Sequence, residues 1–138
     1  GKIQGKLAFG LPGNPVSSMV TFEQLMRPAI LKMKGHRTYV RPLVQAVIQE
    51  KFSKRTDRRH FLRGVLTRED GVFKVRTTGA QGSGILTSMV KANCLIDIPV
   101  EVERVNPGDL VTVQLLSGEA WKTQVEHTHS TGHKTSCC

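Results

Sequence analysis

The chain has 138 residues, enough for one ordinary domain or for one small domain with a piece of another. Its 20 Lys and Arg against 11 Asp and Glu give a net charge of +9, which favours nucleic acid, phosphorylated ligands or an acidic protein surface without choosing among them. No apolar run is long enough to cross a membrane and no signal-peptide core is visible. Cys94 is alone and Cys137-Cys138 are adjacent, so no disulfide framework is outlined and a cytoplasmic setting is expected.

In chain order, Lys6-Leu7-Ala8-Phe9-Gly10 reads as a short buried strand. Leu11-Pro12-Gly13-Asn14-Pro15 reads as a tight turn that leads, with no spare residues, into a helix. Gly13 can take φ > 0 and admits close approach, Asn14 suits the N-cap, and Pro15 suits the first helical position. Such a junction would aim unpaired backbone N–H groups and the positive end of the helix dipole at one point. Apolar positions over residues 16–34 follow the helical period, with Gly35 as the stop and Pro28 forcing a kink or a second helix start. Met19, Met26 and Met33, seven apart, read as core-packing positions against a part of the domain outside this chain.

The period changes near His36-Arg37-Thr38, the expected domain boundary. Val40, Pro42, Val44, Ala46 and Ile48 then share one face of a half-buried strand. Further strands are expected at 59–68, 72–78, 94–100 and 110–116, with Glu69-Asp70-Gly71 and Asn106-Pro107-Gly108-Asp109 as turns. Between the third and fourth of these strands, residues 82–92 read as a short helix entered through glycines, with Ser83 placed to cap it. Residues 118–138 have no apolar period and read as a disordered tail. The fold class is therefore α+β: a strand–turn–helix piece of an α/β domain over residues 1–37, then a small all-β, barrel-like domain over 38–117.

Gly10-Leu11-Pro12-Gly13-Asn14-Pro15-Val16-Ser17 resembles the signature of the molybdopterin molybdotransferase family (MoeA in bacteria, the E domain of gephyrin and its plant relatives). Phe61-Leu62-Arg63-Gly64 and Thr78-Gly79-Ala80-Gln81-Gly82-Ser83-Gly84, followed by Ser88 and Ala92-Asn93, add to it in the family's order and at about its spacing. The resemblance implies a C-terminal fragment: the end of the molybdopterin-binding domain, then the family's last domain. It also implies that molybdate replaces the adenylate of adenylated molybdopterin, with AMP released. The implied cofactor is Mg2+, held by carboxylates outside this chain, and the implied full-length form is a homodimer.

Carried over position by position, the resemblance makes Pro12, Gly13, Asn14, Pro15, Arg63 and Ser83 the substrate-binding residues, with no metal ligand and no assigned catalytic residue here. Pro12 and Pro15 match active-site prolines, Arg63 the arginine that faces the cleft, and Ser83 the serine of a Gln-Gly-Ser turn. Ala80 stands where many relatives have a polar residue. Chemically, two glycine-entered helix starts and a guanidinium suit phosphate recognition. Two bland readings stand beside this: Arg63 as a strand-surface cation and Ser83 as a simple cap.

The alternative is a small basic β-barrel that binds nucleic acid through the run from Lys51 to His60. Against it, aromatics are few, and Phe9, Phe22, Phe61 and Phe73 fall at expected core or strand positions. The bland reading of that run is a solvated hairpin. A third class is a scaffold that binds partner segments. His127, His129, His133, Cys137 and Cys138 have metal-ligand chemistry without a standard spacing. Cys94 reads as a small buried apolar residue.

Overall fold

Alternating apolar and polar residues recur between residues 43 and 115, and there the sheet forms. A computed structural model describes residues 1–55, 57–79 and 90–116. The sheet is a closed barrel of β3 (Leu43–Ile48), β6 (Val72–Thr77), β5 (His60–Glu69), β7 (Cys94–Ile98) and β9 (Leu110–Leu115), in that order. Only the β3–β6 pair is parallel among these. Closure leaves no free edge in this sheet.

Period-2 alternation sends Ala46 and Ile48, Leu62 and Leu66, Val75, Cys94, Ile96 and Ile98, and Val111, Val113 and Leu115 into the barrel. Each fully buried aliphatic side chain of this kind contributes about 1.5–3 kcal/mol relative to exposure. Gly64 lies on the same inward face, between Leu62 and Leu66. A Cβ there would sit 3.0 Å from both Cys94 Sγ and Ile96 Cγ1. The barrel is that narrow where β5 crosses β7.

The Asp-Gly turn behaves as expected: Asp70 has φ +50° and Gly71 φ +81°, and Glu69 pairs with Val72 across it. At the second turn, the Asp109 amide donates to the Asn106 carbonyl (3.1 Å) and Asp109 Oδ2 accepts from the Asn106 amide (2.8 Å). The first barrel strand begins at Leu43, later than expected. Val40 is exposed, and Pro42 precedes the strand, where its carbonyl accepts from the Leu115 amide (3.0 Å).

The basic run is no simple solvated hairpin. It contains β4 (Phe52–Ser53), which pairs with β8 (Arg104–Val105) across the chain. Lys54 is only 7% exposed, and its ammonium donates to the carbonyls of Arg58 (2.6 Å), Pro99 (2.5 Å) and Val100 (3.3 Å). Arg59 is bound to Asp97 through both oxygens, Nε to Oδ1 at 2.7 Å and Nη2 to Oδ2. Phe52 packs against the core. Lys54 and Phe52 are used inside the molecule, and Arg59, though exposed, is paired with Asp97.

The N-terminal part differs from expectation. Lys6 and Leu7 form β2, paired only with β1 (Lys2–Ile3), and both strands are exposed. Two-residue strands joined by a turn have no sheet to bury them. Seven residues then separate β2 from helix α1 (Pro15–Thr21), so the strand does not run straight into the helix.

From α1 the helix continues through a π-helical turn (Phe22–Met26) into α2 (Arg27–Met33). Pro28 explains the wide turn. Proline gives no N–H to residue i−4 and its ring crowds that carbonyl. The Arg27 amide reaches Phe22 O, one residue further back, and α2 restarts with Pro28 in its first turn. Gly35, at φ +79°, ends the helix, with the His36 amide donating to Leu31 O and the Gly35 amide to Lys32 O. No residue of this helix is buried. Met19 and Met33 are exposed in this chain, as are Phe9 and Phe22. No described helix is long and apolar enough to cross a membrane.

Candidate functional site

Asn14 builds the Pro-Gly-Asn-Pro turn. It is extended at φ −72°, ψ 121°, and its Oδ1 accepts from the amides of Val16 (3.0 Å) and Ser17 (3.2 Å). Its carbonyl accepts from the Ser18 amide (2.9 Å), and the Ser18 hydroxyl donates to the Pro12 carbonyl. The cap expected of Asn14 and the N-terminal position expected of Pro15 are both present.

The donors expected at this turn are not free. Asn14 takes two first-turn amides and Pro15 has none to give, so the helix start offers an anion fewer donors than its dipole suggests. Gly13 does not use the left-handed region either. It is absent from the positive-φ glycines, and a Cβ on it would meet nothing within 4 Å. The turn presents shape and an open approach more than a ring of N–H groups.

The Phe61-Leu62-Arg63-Gly64 block is split between two faces of β5. Leu62 and Gly64 point into the barrel; Phe61 and Arg63 belong to the outer face. The Arg59 guanidinium lies 5.1 Å from the Phe61 ring centroid. Arg63 is no surface cation. It is 1% exposed, the largest of the fully buried side chains among the described residues. Burial lowers its pKa below the ordinary arginine value, yet a guanidinium stays charged near neutral pH.

Strand register places Arg63 opposite Leu95, Leu95 opposite Gln114 and Gln114 opposite Leu43, a single row across the outer wall. The helix crosses this row. Met19, Val20 and Glu23 line a cavity of about 160 Å³ with Leu95 and Leu116. Gln24 Nε2 donates to Gln114 Oε1, and Glu23 takes both Arg41 Nε (2.9 Å) and Arg41 Nη2 (3.0 Å). The helix that carries the turn at its start is therefore tied, through Gln24, to the strand row that holds Arg63.

Beside Arg63, the Thr78 amide donates to the Arg63 carbonyl (3.1 Å), and the Asn93 amide to the Gly64 carbonyl (3.1 Å). Ser83, Ala80 and all but the end of the expected 82–92 helix lie outside the described residues, as does the 118–138 tail with its His and Cys residues. Val90 and Lys91, at the end of that expected helix, are helical. Cys94 is fully buried, and burial pushes its thiol up to about 12, so it is protonated at neutral pH and no nucleophile. Among the described residues no three of His, Cys, Asp and Glu converge as a metal site. Sequence reasoning missed the Glu23–Arg41 and Gln24–Gln114 pairs; long-range partners of this kind leave no local pattern.

Comparison with known proteins follows this geometry. The family described as the MoeA C-terminal region (domain IV) matches residues 45–116. The molybdopterin molybdenumtransferase of Haemophilus influenzae is 37% identical over 116 residues, covering 83% of this chain and 29% of that protein. Molybdopterin molybdenumtransferase 1 of Mycobacterium tuberculosis is 34% identical over 118 residues, covering 82% and 28%. A crystal structure of a molybdopterin biosynthesis MoeA protein from Pyrococcus horikoshii superimposes with a TM-score of 0.66 at 33% identity, over 84% of this chain and 28% of that one. The chain thus spans less than a third of the length of these relatives.

Proposed function

Because this chain belongs to the MoeA C-terminal (domain IV) family, we propose that it serves molybdenum cofactor biosynthesis as one wall of a molybdotransferase site. In that reading a parent protein carrying the chain transfers molybdate to adenylated molybdopterin and releases AMP. Pro12, Gly13, Asn14, Pro15, Arg63 and Ser83 face the substrate, and the parent works as a cytoplasmic homodimer.

The observation that carries the reading is Arg63, a charged side chain 1% exposed in the strand row to which Gln24 ties the turn-bearing helix. In a buried setting the attraction of a guanidinium for an anion is stronger than at a surface. A planar guanidinium can grip a phosphate through two parallel bonds. Arg63 would hold substrate charge, and the open Pro12–Pro15 turn would shape the approach. No general base or nucleophile is assigned to the described residues.

Magnesium, implied by the family, would neutralise phosphate charge in the parent. The described residues bring no set of ligands together for it, so no step here runs through it. The test is molybdate transfer with AMP release, measured for the isolated chain and for the full-length parent with magnesium. The parent turns over and the isolated chain does not. Full activity from the chain alone would contradict the shared-wall reading.

The basic run does not favour the nucleic-acid alternative, since Lys54 and Arg59 are engaged internally.

A further inference from the structure

The β5–β7 ladder ends at Gly64 opposite Cys94. Two more steps of the same register would set Leu66 opposite Ala92, but the chain has left the sheet there, with Val90 and Lys91 helical. The backbone groups of Leu66 on that side are nonetheless satisfied. Asn93 Oδ1 accepts from the Leu66 amide (2.7 Å), and Asn93 Nδ2 donates to the Leu66 carbonyl (3.0 Å). A side-chain amide thus stands in for the missing strand peptide, matching one donor and one acceptor.

The same residue is tied by its own backbone. Its amide donates to the Gly64 carbonyl (3.1 Å), and its carbonyl accepts from the Leu116 amide (3.0 Å). Asn93 thereby joins β5 to the start of β7 and to the chain just after β9. Arg63 is one register step inside this clamp, opposite Leu95, and its carbonyl takes the Thr78 amide from the other side.

We infer that Asn93 is a positioning residue for substrate binding, acting through Arg63. It rests on the reading that Arg63 holds the anionic substrate. β6 holds β5 on one side through Glu69, and Asn93, by closing the ladder where β7 departs, holds it on the other, next to Arg63, and so fixes where the guanidinium stands. A binding group held in place loses less freedom when its ligand arrives. Asparagine is specific here: aspartate lacks the Nδ2 donor and would set a carboxylate against the Leu66 carbonyl, and alanine removes both of the bonds that Asn93 makes to Leu66.

The experiment is a double-mutant cycle in the full-length parent, read as KM and kcat for adenylated molybdopterin. Asn93→Ala raises KM about five- to tenfold with kcat within about twofold, the signature of lost binding shared by ground and transition states. In the Arg63→Ala background, Asn93→Ala adds less than about twofold, because it acts through a group already gone. The same factor in both backgrounds overturns the inference, since a purely structural role is independent of Arg63. An unchanged KM in Asn93→Ala, with KM raised in Arg63→Ala, also overturns it while the functional reading survives. An unchanged KM in Arg63→Ala defeats both. Should Asn93→Ala fail to fold, Asn93→Asp enters the same cycle. In this chain, amide exchange at Leu66 must quicken in that variant; full protection there overturns the clamp.

Discussion

Glu23 and Arg41 lie side by side, two parallel hydrogen bonds of 2.9 and 3.0 Å joining the π-helical turn to the segment that leads into β3. Both side chains are mostly buried, at 14% and 20% exposure, so solvent screens the pair less than a surface bridge. Glu23→Gln removes the charge and one acceptor. The expected loss is about 1–2 kcal/mol of stability, read by urea denaturation. Amide exchange should rise in α1 before it rises in the barrel. Unchanged stability and unchanged helix protection would show that the pair does not hold the helix to the barrel.

Gly64 faces Cys94 and Ile96 with no room for a methyl group. Gly64→Ala should overpack the barrel and cost about 1–3 kcal/mol. Gly13→Ala, at a position with open space and no positive φ, should cost far less. Thermal unfolding of the two variants checks the contrast, and equal losses would contradict it.

This pair of glycines shows what the sequence could and could not disclose. Alternation and the Asp70-Gly71 turn made the barrel strands legible, because period 2 and left-handed turn residues are local signals. The Asn14 cap and the Gly35 stop were legible for the same reason. The burial of the N-terminal strand was not, because an apolar run reads alike whether or not a partner covers it. Nor was the state of the helix donors, since the cap that marks a helix start also occupies its amides. Arg63 was singled out through the family block; its burial is a tertiary property, since β7, whose Leu95 stands opposite it, lies far away in sequence. The buried ammonium of Lys54 was hidden inside a run that reads as surface charge.

Lys54 therefore separates two accounts of the basic run. Removing its ammonium takes a donor from three carbonyls, of which Pro99 keeps the Val102 amide at 3.3 Å. Lys54→Met should cost on the order of 2–3 kcal/mol. Lys51→Met, at an exposed position, should fall within about 0.5 kcal/mol of the parent chain. Equal and small effects in chemical denaturation would return Lys54 to the surface. Oligonucleotide binding should be weak and without length preference in both variants.

The Cys94 thiol gives a pH signature. Burial holds its proton to about 12 in the folded chain, whereas an unfolded thiol releases it near about 8.5. Above that lower value the unfolded state binds fewer protons than the folded one, so stability falls as pH rises. The contribution is fully present below about pH 8.5 and declines by about 1.4 kcal/mol per unit above it. Denaturation at pH 8, 9 and 10 should show this slope, and Cys94→Ala should lack it. The same slope in both would assign it to other groups.

The central claim is that Arg63 binds the anionic substrate, and ligand titration tests it most directly. In the full-length parent, the Kd for adenylated molybdopterin should rise about ten- to a hundredfold in Arg63→Ala, the loss of a charge-assisted contact worth about 1.5–3 kcal/mol. Arg63→Lys should recover only part of this, because an ammonium keeps the charge without the planar fork. A Kd unchanged in a folded Arg63→Ala variant would contradict the account.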